Sequence, residues 1–173
     1  LNMLEAYKYH CPTAKFYQAS SSECFGRTVE EDGFQRETTK MEPTSPYGSA
    51  KVFGYNIVRH YRFAHKLFAV NGILFNHESP RRGSNFVTSK IVQGAIAIKS
   101  GDAKELRMGN LDARRDWGHA KDYVEAMWKM MQKKKPSDYV ISTGKQHTVK
   151  EFVNLALNEL NIKYYLEIKH QMI

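Results

Sequence analysis

Leu67-Phe68-Ala69-Val70-Asn71-Gly72-Ile73-Leu74-Phe75 is the stretch on which the fold turns. It is short, almost wholly apolar and carries β-branched residues, the pattern of a parallel strand buried on both faces. Just upstream, residues 47–65 have a helical period that sets Phe53, Ile57 and Tyr61 on one face. Before that helix, Lys15-Phe16-Tyr17-Gln18-Ala19 reads as a second strand, running into Ser20-Ser21-Ser22-Glu23. Residues 26–46, rich in Gly, Glu, Thr and Pro, predict a long surface loop between them. Residues 1–9 predict a helix with Leu1, Leu4 and Ala6 on its apolar side.

Downstream of residue 75, Asn76 to Gly83 predict a polar loop, and Ser84 or Asn85 caps a helix carrying Val87, Ile91 and Ala95. Residues 105–108 predict a short strand, and residues 120–131 a helix with Tyr123, Val124, Met127 and Met131 inward. Tyr139-Val140-Ile141 predicts another strand. Thr148-Val149-Lys150-Glu151 is a capping box opening a helix with Phe152, Ala156 and Leu160 on one face. Alternating strands and helices give an α/β chain with a parallel sheet. The chain opens inside a helix and ends on Tyr164-Tyr165-Leu166-Glu167-Ile168 with no closing partner, so it reads as a piece of a larger domain.

The 173 residues amount to one ordinary domain or a generous part of a larger one. A hydrophobic fraction of 42% supplies a core and excludes wholesale disorder. No apolar run approaches the ~18 residues of a membrane helix, and no leader argues for secretion. Cys11 and Cys24 match no metal spacing and are too few for a disulfide scaffold, so no metal site and a cytoplasmic setting are expected. A net charge of +8 points to an anionic partner: nucleic acid, an acidic surface or a phosphorylated small molecule. No interleaving of aromatic and basic residues supports nucleic acid. The run Lys133-Lys134-Lys135 before Pro136 reads as a solvated turn.

The strongest chemical signal is Tyr47-Gly48-Ser49-Ala50-Lys51, at the start of the helix that follows the serine-ended strand. Residues four apart on a helix share a face, so the phenol and the ammonium point into the same space. A nearby cation favours phenolate and draws a tyrosine toward service as a proton acceptor. The small residues between them would let a flat ligand approach the helix. Strand-end serines can donate to a substrate oxygen, and the carboxylate of Glu23 beside an oxidation centre suits removal of a proton α to a new carbonyl. Taken singly, the Tyr-x-x-x-Lys reads as ordinary helix surface and Glu23 as a loop carboxylate paired with a surface cation.

Phe16-Tyr17-Gln18-Ala19-Ser20-Ser21-Ser22-Glu23 followed by Ser45-Pro46-Tyr47-Gly48-Ser49-Ala50-Lys51 resembles the extended short-chain dehydrogenase/reductases. Two longer strings narrow the resemblance to the GDP-mannose 4,6-dehydratase family. One runs from Ala69 to Gly83 and contains Asn76-His77-Glu78-Ser79-Pro80-Arg81-Arg82-Gly83. The other runs from Gly109 to Tyr123 and contains Arg114-Arg115-Asp116-Trp117-Gly118-His119. The likeness covers residues 16–160 and fades beyond Asn161.

The resemblance implies a hydro-lyase that turns GDP-mannose into GDP-4-keto-6-deoxy-mannose plus water with NADP. It assigns Tyr47 as the base at the sugar 4-hydroxyl, and Lys51 to the nicotinamide ribose and the phenolate. Ser21 would bond O4, where many members carry threonine, and Glu23 would take the C5 proton. His77 and Arg82 would line the cofactor, and Asn76, Asn85, Lys90 and Arg115 the nucleotide-sugar, with Arg115 on the diphosphate. A loop histidine satisfied by its own surroundings is the alternative for His77. A salt bridge is the alternative for Arg81, and packing the reading for Trp117 and His119.

The implied fold is a partial Rossmann-like parallel sheet with flanking helices plus part of a smaller substrate-binding domain. Residues 1–83 would be the remainder of the Rossmann domain with the catalytic centre. Residues 84–173 would be mostly substrate-binding segments, with later strands returning to the sheet. The family's Gly-x-x-Gly-x-x-Gly turn, which cradles the cofactor pyrophosphate, occurs nowhere in the chain. That predicts a partial chain lacking the N-terminal cofactor-binding half, silent alone, partnered by a separate N-terminal half and homo-oligomeric when complete. An epimerase of the same superfamily and a non-catalytic nucleotide-binding remnant are the competing readings. Glu23 and the Asn76–Gly83 string count against the epimerase.

Overall fold

The structure, a computed structural model, describes residues 1–165; the expected ending at 166–168 lies outside them. The chain divides into two compact units, Leu1–His77 with Asp116–Lys145 and Glu78–Arg115 with Gln146–Ile173.

In the first unit a parallel sheet runs in the order β1 (Phe16–Ser21), β2 (Ala69–Leu74), β5 (Asp138–Ile141). Phe16 pairs with Ala69 and Ser21 with Leu74, while Asn71 pairs with Asp138 and Leu74 with Ile141. All six β2 positions are buried, as the apolar run required. Helices α1 (Asn2–His10), α2 (Pro46–Ala64) and α4 (Ala120–Met131) belong to this unit. Ser45 caps α2 by accepting the Gly48 N–H at 3.0 Å, and Pro46, whose missing N–H costs nothing there, opens its first turn. Leu4, Tyr7, Val58, Tyr61, Leu67 and Ala69 form one apolar cluster joining α1, α2 and β2. Phe25, Tyr55 and Ile73 form another, with Met41, Phe75 and Val140 against it. Phe25 and Met41 thereby pin the two ends of the expected loop.

A buried polar network fixes α2 on the sheet. Arg62 donates Nε to the Ala69 carbonyl at 2.6 Å and Nη2 to Asp138 Oδ1 at 2.6 Å. Asn71 Nδ2 donates to the same Oδ1 at 2.8 Å, and the Tyr55 hydroxyl to Oδ2 at 3.2 Å. At the open side of β5, the Val140 N–H donates to Glu37 Oε1 at 2.7 Å. A carboxylate from the long loop so covers the strand that stands at the sheet edge among the described residues.

In the second unit α3 (Val87–Ser100) packs with α5 (Val149–Glu159). The capping box forms as expected, with Thr148 and Glu151 bonding each other's backbone N–H. Three short strands, β3 (Asn76–Glu78), β4 (Arg114–His119) and β6 (Gln146–Thr148), make a second sheet ordered β3-β4-β6. The chain passes between the units within β3 and within β4.

Several local expectations need correction. The loop after residue 75 begins as β3, and residues 105–108 form no strand, because Leu106 packs its side chain against Gly94 of α3 instead. Neither Ser84 nor Asn85 caps α3: Phe86 holds that place without a side-chain bond, since a turn from Gly83 to Phe86 uses up both residues. The buried helix faces also shift. In α1 they are Leu4 and Tyr7, with Leu1 exposed; in α2, Tyr55, Val58, Tyr61 and Arg62, with Phe53 exposed. In α4, Tyr123 and Met130 are buried and Val124 is exposed; α5 buries Val149, Val153 and Leu157. Among the described residues no helix is long and apolar enough to cross a membrane.

Candidate active site

The first unit brings four of the sequence-derived residues to one corner, where the end of β1 meets the start of α2. The Ser21 hydroxyl oxygen accepts the Glu23 N–H at 3.2 Å, capping a single 3-10 turn at Ser22–Cys24. Its O–H proton stays free to donate outward. That turn leaves the Glu23 carboxylate exposed. The α2 helix lies directly on the same turn: a Cβ at Gly48 would stand 2.7 Å from the Glu23 carbonyl oxygen. Gly48 is therefore buried helix-to-turn contact, not part of an open ligand shelf, whereas Ser49 and Ala50 are exposed.

Lys51 donates Nζ to the Ala19 carbonyl at 2.9 Å, and the same ammonium lies 5.4 Å from the centroid of the Tyr47 ring. Holding the lysine to the strand end aims its charge at the tyrosine, which is 55% exposed and thus open to a ligand. Two ammonium protons remain available to hydroxyl groups. The corner so presents a hydroxyl donor, a phenol, an ammonium and a carboxylate on neighbouring backbone.

Asn76 and His77 lie in β3 and are half-buried. His77 Nδ1 sits 2.8 Å from the Phe75 carbonyl, and its ring stacks on Tyr123 with centroids 4.8 Å apart. Sequence periodicity turns Tyr123 inward, as found, but assigns neither it nor Asp116 a part at the site. Asp116 is buried and accepts from Thr143 N at 3.0 Å, Thr143 Oγ1 at 2.9 Å and Gly144 N at 2.8 Å, locking the turn after β5. Burial first, then the charge of Asp116, push the Tyr123 phenol up, while burial alone pushes Tyr17 up to about 12. His119 caps α4, its Nδ1 accepting from Lys121 N at 3.1 Å.

The second unit carries Arg82, Asn85, Lys90 and Arg115. The Arg82 guanidinium lies 3.5 Å from the Phe86 ring centroid. Its Nε is 3.2 Å from Glu78 Oε2, an ion pair without hydrogen-bond alignment. The Thr88 hydroxyl donates to that same oxygen at 2.5 Å. Asn85 and Lys90 are exposed. Arg115 is exposed too, its guanidinium turned onto the Arg114 carbonyl at 2.7 Å.

A parallel sheet whose first strand ends in serines, with a Tyr-x-x-x-Lys helix set on that end, defines the class of extended short-chain dehydrogenase/reductases. Solved structures agree on the fold. A dTDP-glucose 4,6-dehydratase from Bacillus anthracis, in complex with NAD, matches with a TM-score of 0.83 at 25% identity, covering 97% of this chain and 54% of that one. RMD from Pseudomonas aeruginosa, complexed with NADPH, matches with a TM-score of 0.87 at 21% identity, covering 94% and 56%.

Sequence comparison narrows the class. A family model described as GDP-mannose 4,6 dehydratase matches residues 1–172. The human GDP-mannose 4,6 dehydratase is 59% identical over 141 residues, covering 82% of this chain and 37% of that protein. The Vibrio cholerae GDP-mannose 4,6-dehydratase is 52% identical over 165 residues, covering 94% and 44%. This chain belongs to the GDP-mannose 4,6-dehydratase family. It spans less than half the length of these curated relatives.

Proposed function

We propose that the chain carries the catalytic corner of a GDP-mannose 4,6-dehydratase, a hydro-lyase that forms GDP-4-keto-6-deoxy-mannose and water. The observation that carries this reading is Lys51, tied to the end of β1 and held over Tyr47, with Ser21 and Glu23 on the adjoining turn. Ser21 donates to O4 of the sugar while Tyr47 removes the proton of the 4-hydroxyl. Oxidation at C4 also requires loss of hydride, for which the bound cofactor would be the acceptor and, later, the donor at C6; the 4-ketone so formed acidifies C5–H. Glu23 then takes the C5 proton and assists departure of the C6 hydroxyl as water. Lys51 keeps positive charge beside the phenol throughout and offers its remaining protons to ribose hydroxyls.

The residues present fit a nicotinamide cofactor on the evidence of their donor set. Lys51 has two donors beyond its bond to the Ala19 carbonyl, and Ser49 and Ala50 leave the first turn of α2 open. When bound, that cofactor, here proposed to be NADP, supplies reversible acceptance of hydride. His77 and Arg82 would flank it. Asn76, Asn85 and Lys90 would bind the nucleotide-sugar, and Arg115, swung off its own backbone, would bind the diphosphate. Residues 1–83 would serve as dinucleotide-domain remainder and residues 84–173 mostly as substrate-binding segments. A homo-oligomeric state and a cytoplasmic location belong to the same proposal.

The test supplies GDP-mannose and NADP to the chain, alone and together with the part of a curated relative that it does not span. Product should form only with both parts present, because hydride transfer needs reacting atoms held about 3–3.5 Å apart. Tyr47→Phe in the pair should abolish it. Robust turnover by Tyr47→Phe would remove Tyr47 as the base.

A further inference from the structure

His77 is held by a partner to which no role has yet been given. A backbone carbonyl can only accept, so the contact between His77 Nδ1 and the Phe75 oxygen at 2.8 Å puts the imidazole proton on Nδ1. In the neutral ring Nε2 is then a bare lone pair. The ring plane is set by Tyr123, stacked at 4.8 Å with only 24° between the planes. Tyr123 is 2% exposed, and its hydroxyl finds no hydrogen-bond partner among the described residues. Its ring rests against Gly118, where any Cβ would collide with it. Tyr123 is thus buried for its flat face rather than for its hydroxyl, and the bare backbone at Gly118 makes room for that face.

We infer that Tyr123, seated on Gly118, is a positioning residue that fixes His77 as the Nδ1–H tautomer and so makes Nε2 an acceptor for a neutral hydroxyl or amide N–H of the bound molecule. This rests on the reading of His77 as ligand-facing and deepens it by naming the chemistry. A neutral imidazole offering a lone pair repels phosphate oxygen and attracts a ribose hydroxyl or a carboxamide. The phosphates fall to the arginines, which keep their donors and their charge.

The test is long-range proton–nitrogen NMR of the imidazole rings in the 173-residue chain labelled with ¹⁵N-histidine. His77 is assigned by its loss in His77→Gln and recorded above its own titration midpoint. The wild-type protein should show a protonated Nδ1 and a bare Nε2. Tyr123→Phe, which keeps the flat ring, should preserve that pattern. Tyr123→Leu should move His77 toward the Nε2–H form that free imidazole side chains favour, with a thermal melt confirming the fold. Should Tyr123→Leu not fold, Gly118→Ala displaces the ring with Tyr123 intact and should give the same change. An Nε2–H wild type, or a folded Tyr123→Leu or Gly118→Ala protein with an unchanged tautomer, would overturn the positioning role. Titration with NADP and with GDP-mannose, in the chain completed with the part of a curated relative that it does not span, should then shift the Nε2 signal with one of the two. The predicted tautomer with no response to either ligand would overturn the ligand-facing reading and leave Tyr123 as the positioner.

Discussion

The corner at β1 and α2 and the exposed Asn85, Lys90 and Arg115 of the second unit are held by opposite means. At the corner Ser21 and Lys51 are tied to backbone, the first to the Glu23 N–H and the second to the Ala19 carbonyl, and Gly48 presses the start of α2 onto the Glu23 carbonyl. Behind it, three α2 side chains converge on Asp138, which is 12% exposed. In the second unit Arg115, Asn85 and Lys90 stand exposed, and among the described residues Arg115 bonds its neighbour's carbonyl alone. Proton transfer tolerates little misplacement, so its groups need fixed anchors. Flexible cations can close on a diphosphate after it arrives. The difference is one of preorganisation.

The largest effect should come from removing the hub behind the corner. Asp138→Ala leaves Arg62, itself 7% exposed, buried without its counter-charge. Breaking such a pair costs about 3–5 kcal/mol, read as the loss of unfolding free energy in urea. Acid gives the same comparison without mutation. Burial raises the Asp138 carboxyl, but Arg62 and Asn71 outweigh it and the net shift is downward. A depressed folded pKa contributes stability above the unfolded value of about 3.9. That contribution is lost as pH falls through the folded value. Urea midpoints measured down this range should fall less steeply in Asp138→Asn than in the parent.

Gly48→Val should come next, because the new side chain meets the Glu23 carbonyl and the Pro43 ring at 2.9 Å. Overpacking of this kind costs about 1–3 kcal/mol. It should also depress turnover of the completed enzyme more than its stability loss explains. Glu37→Ala frees the Val140 N–H at the sheet edge. Loss of one hydrogen bond there should cost about 1 kcal/mol and raise the tendency to self-associate in light scattering. Smallest in stability is Arg115→Ala, within about 0.5 kcal/mol as for other surface changes. Calorimetry should nonetheless show it lowering GDP-mannose affinity. Equal binding by parent and variant would remove Arg115 from the diphosphate.

What the sequence made legible follows the same division. The buried strand at β2, the helix at α4 and the capping box at Thr148 each carry their cause locally, in an apolar run, a period or a cap. The Tyr-x-x-x-Lys pair was legible because one helix holds both members. By contrast β4, written Arg114-Arg115-Asp116-Trp117-Gly118-His119, has neither alternation nor an apolar run. Its neighbourhood is tied by remote partners such as the Val149 N–H on the Ala113 carbonyl. The stack of Tyr123 on His77 and the convergence on Asp138 join residues far apart in sequence, and no local pattern announces them. Helix faces were misjudged where an apolar residue such as Phe53 or Val124 stands exposed, since period alone counts it as core.

The most direct measurement separates the two proton acceptors of the corner. Glu23→Gln is prepared in the chain completed with the relative's remaining segment, then mixed with GDP-mannose and NADP. Reduced-nicotinamide absorbance and the 4-keto-6-deoxy product are followed together. If Tyr47 and Lys51 serve oxidation at C4 while Glu23 serves loss of water, the absorbance should rise and persist while product stays absent. Undiminished product from Glu23→Gln would contradict the division of labour at the β1–α2 corner.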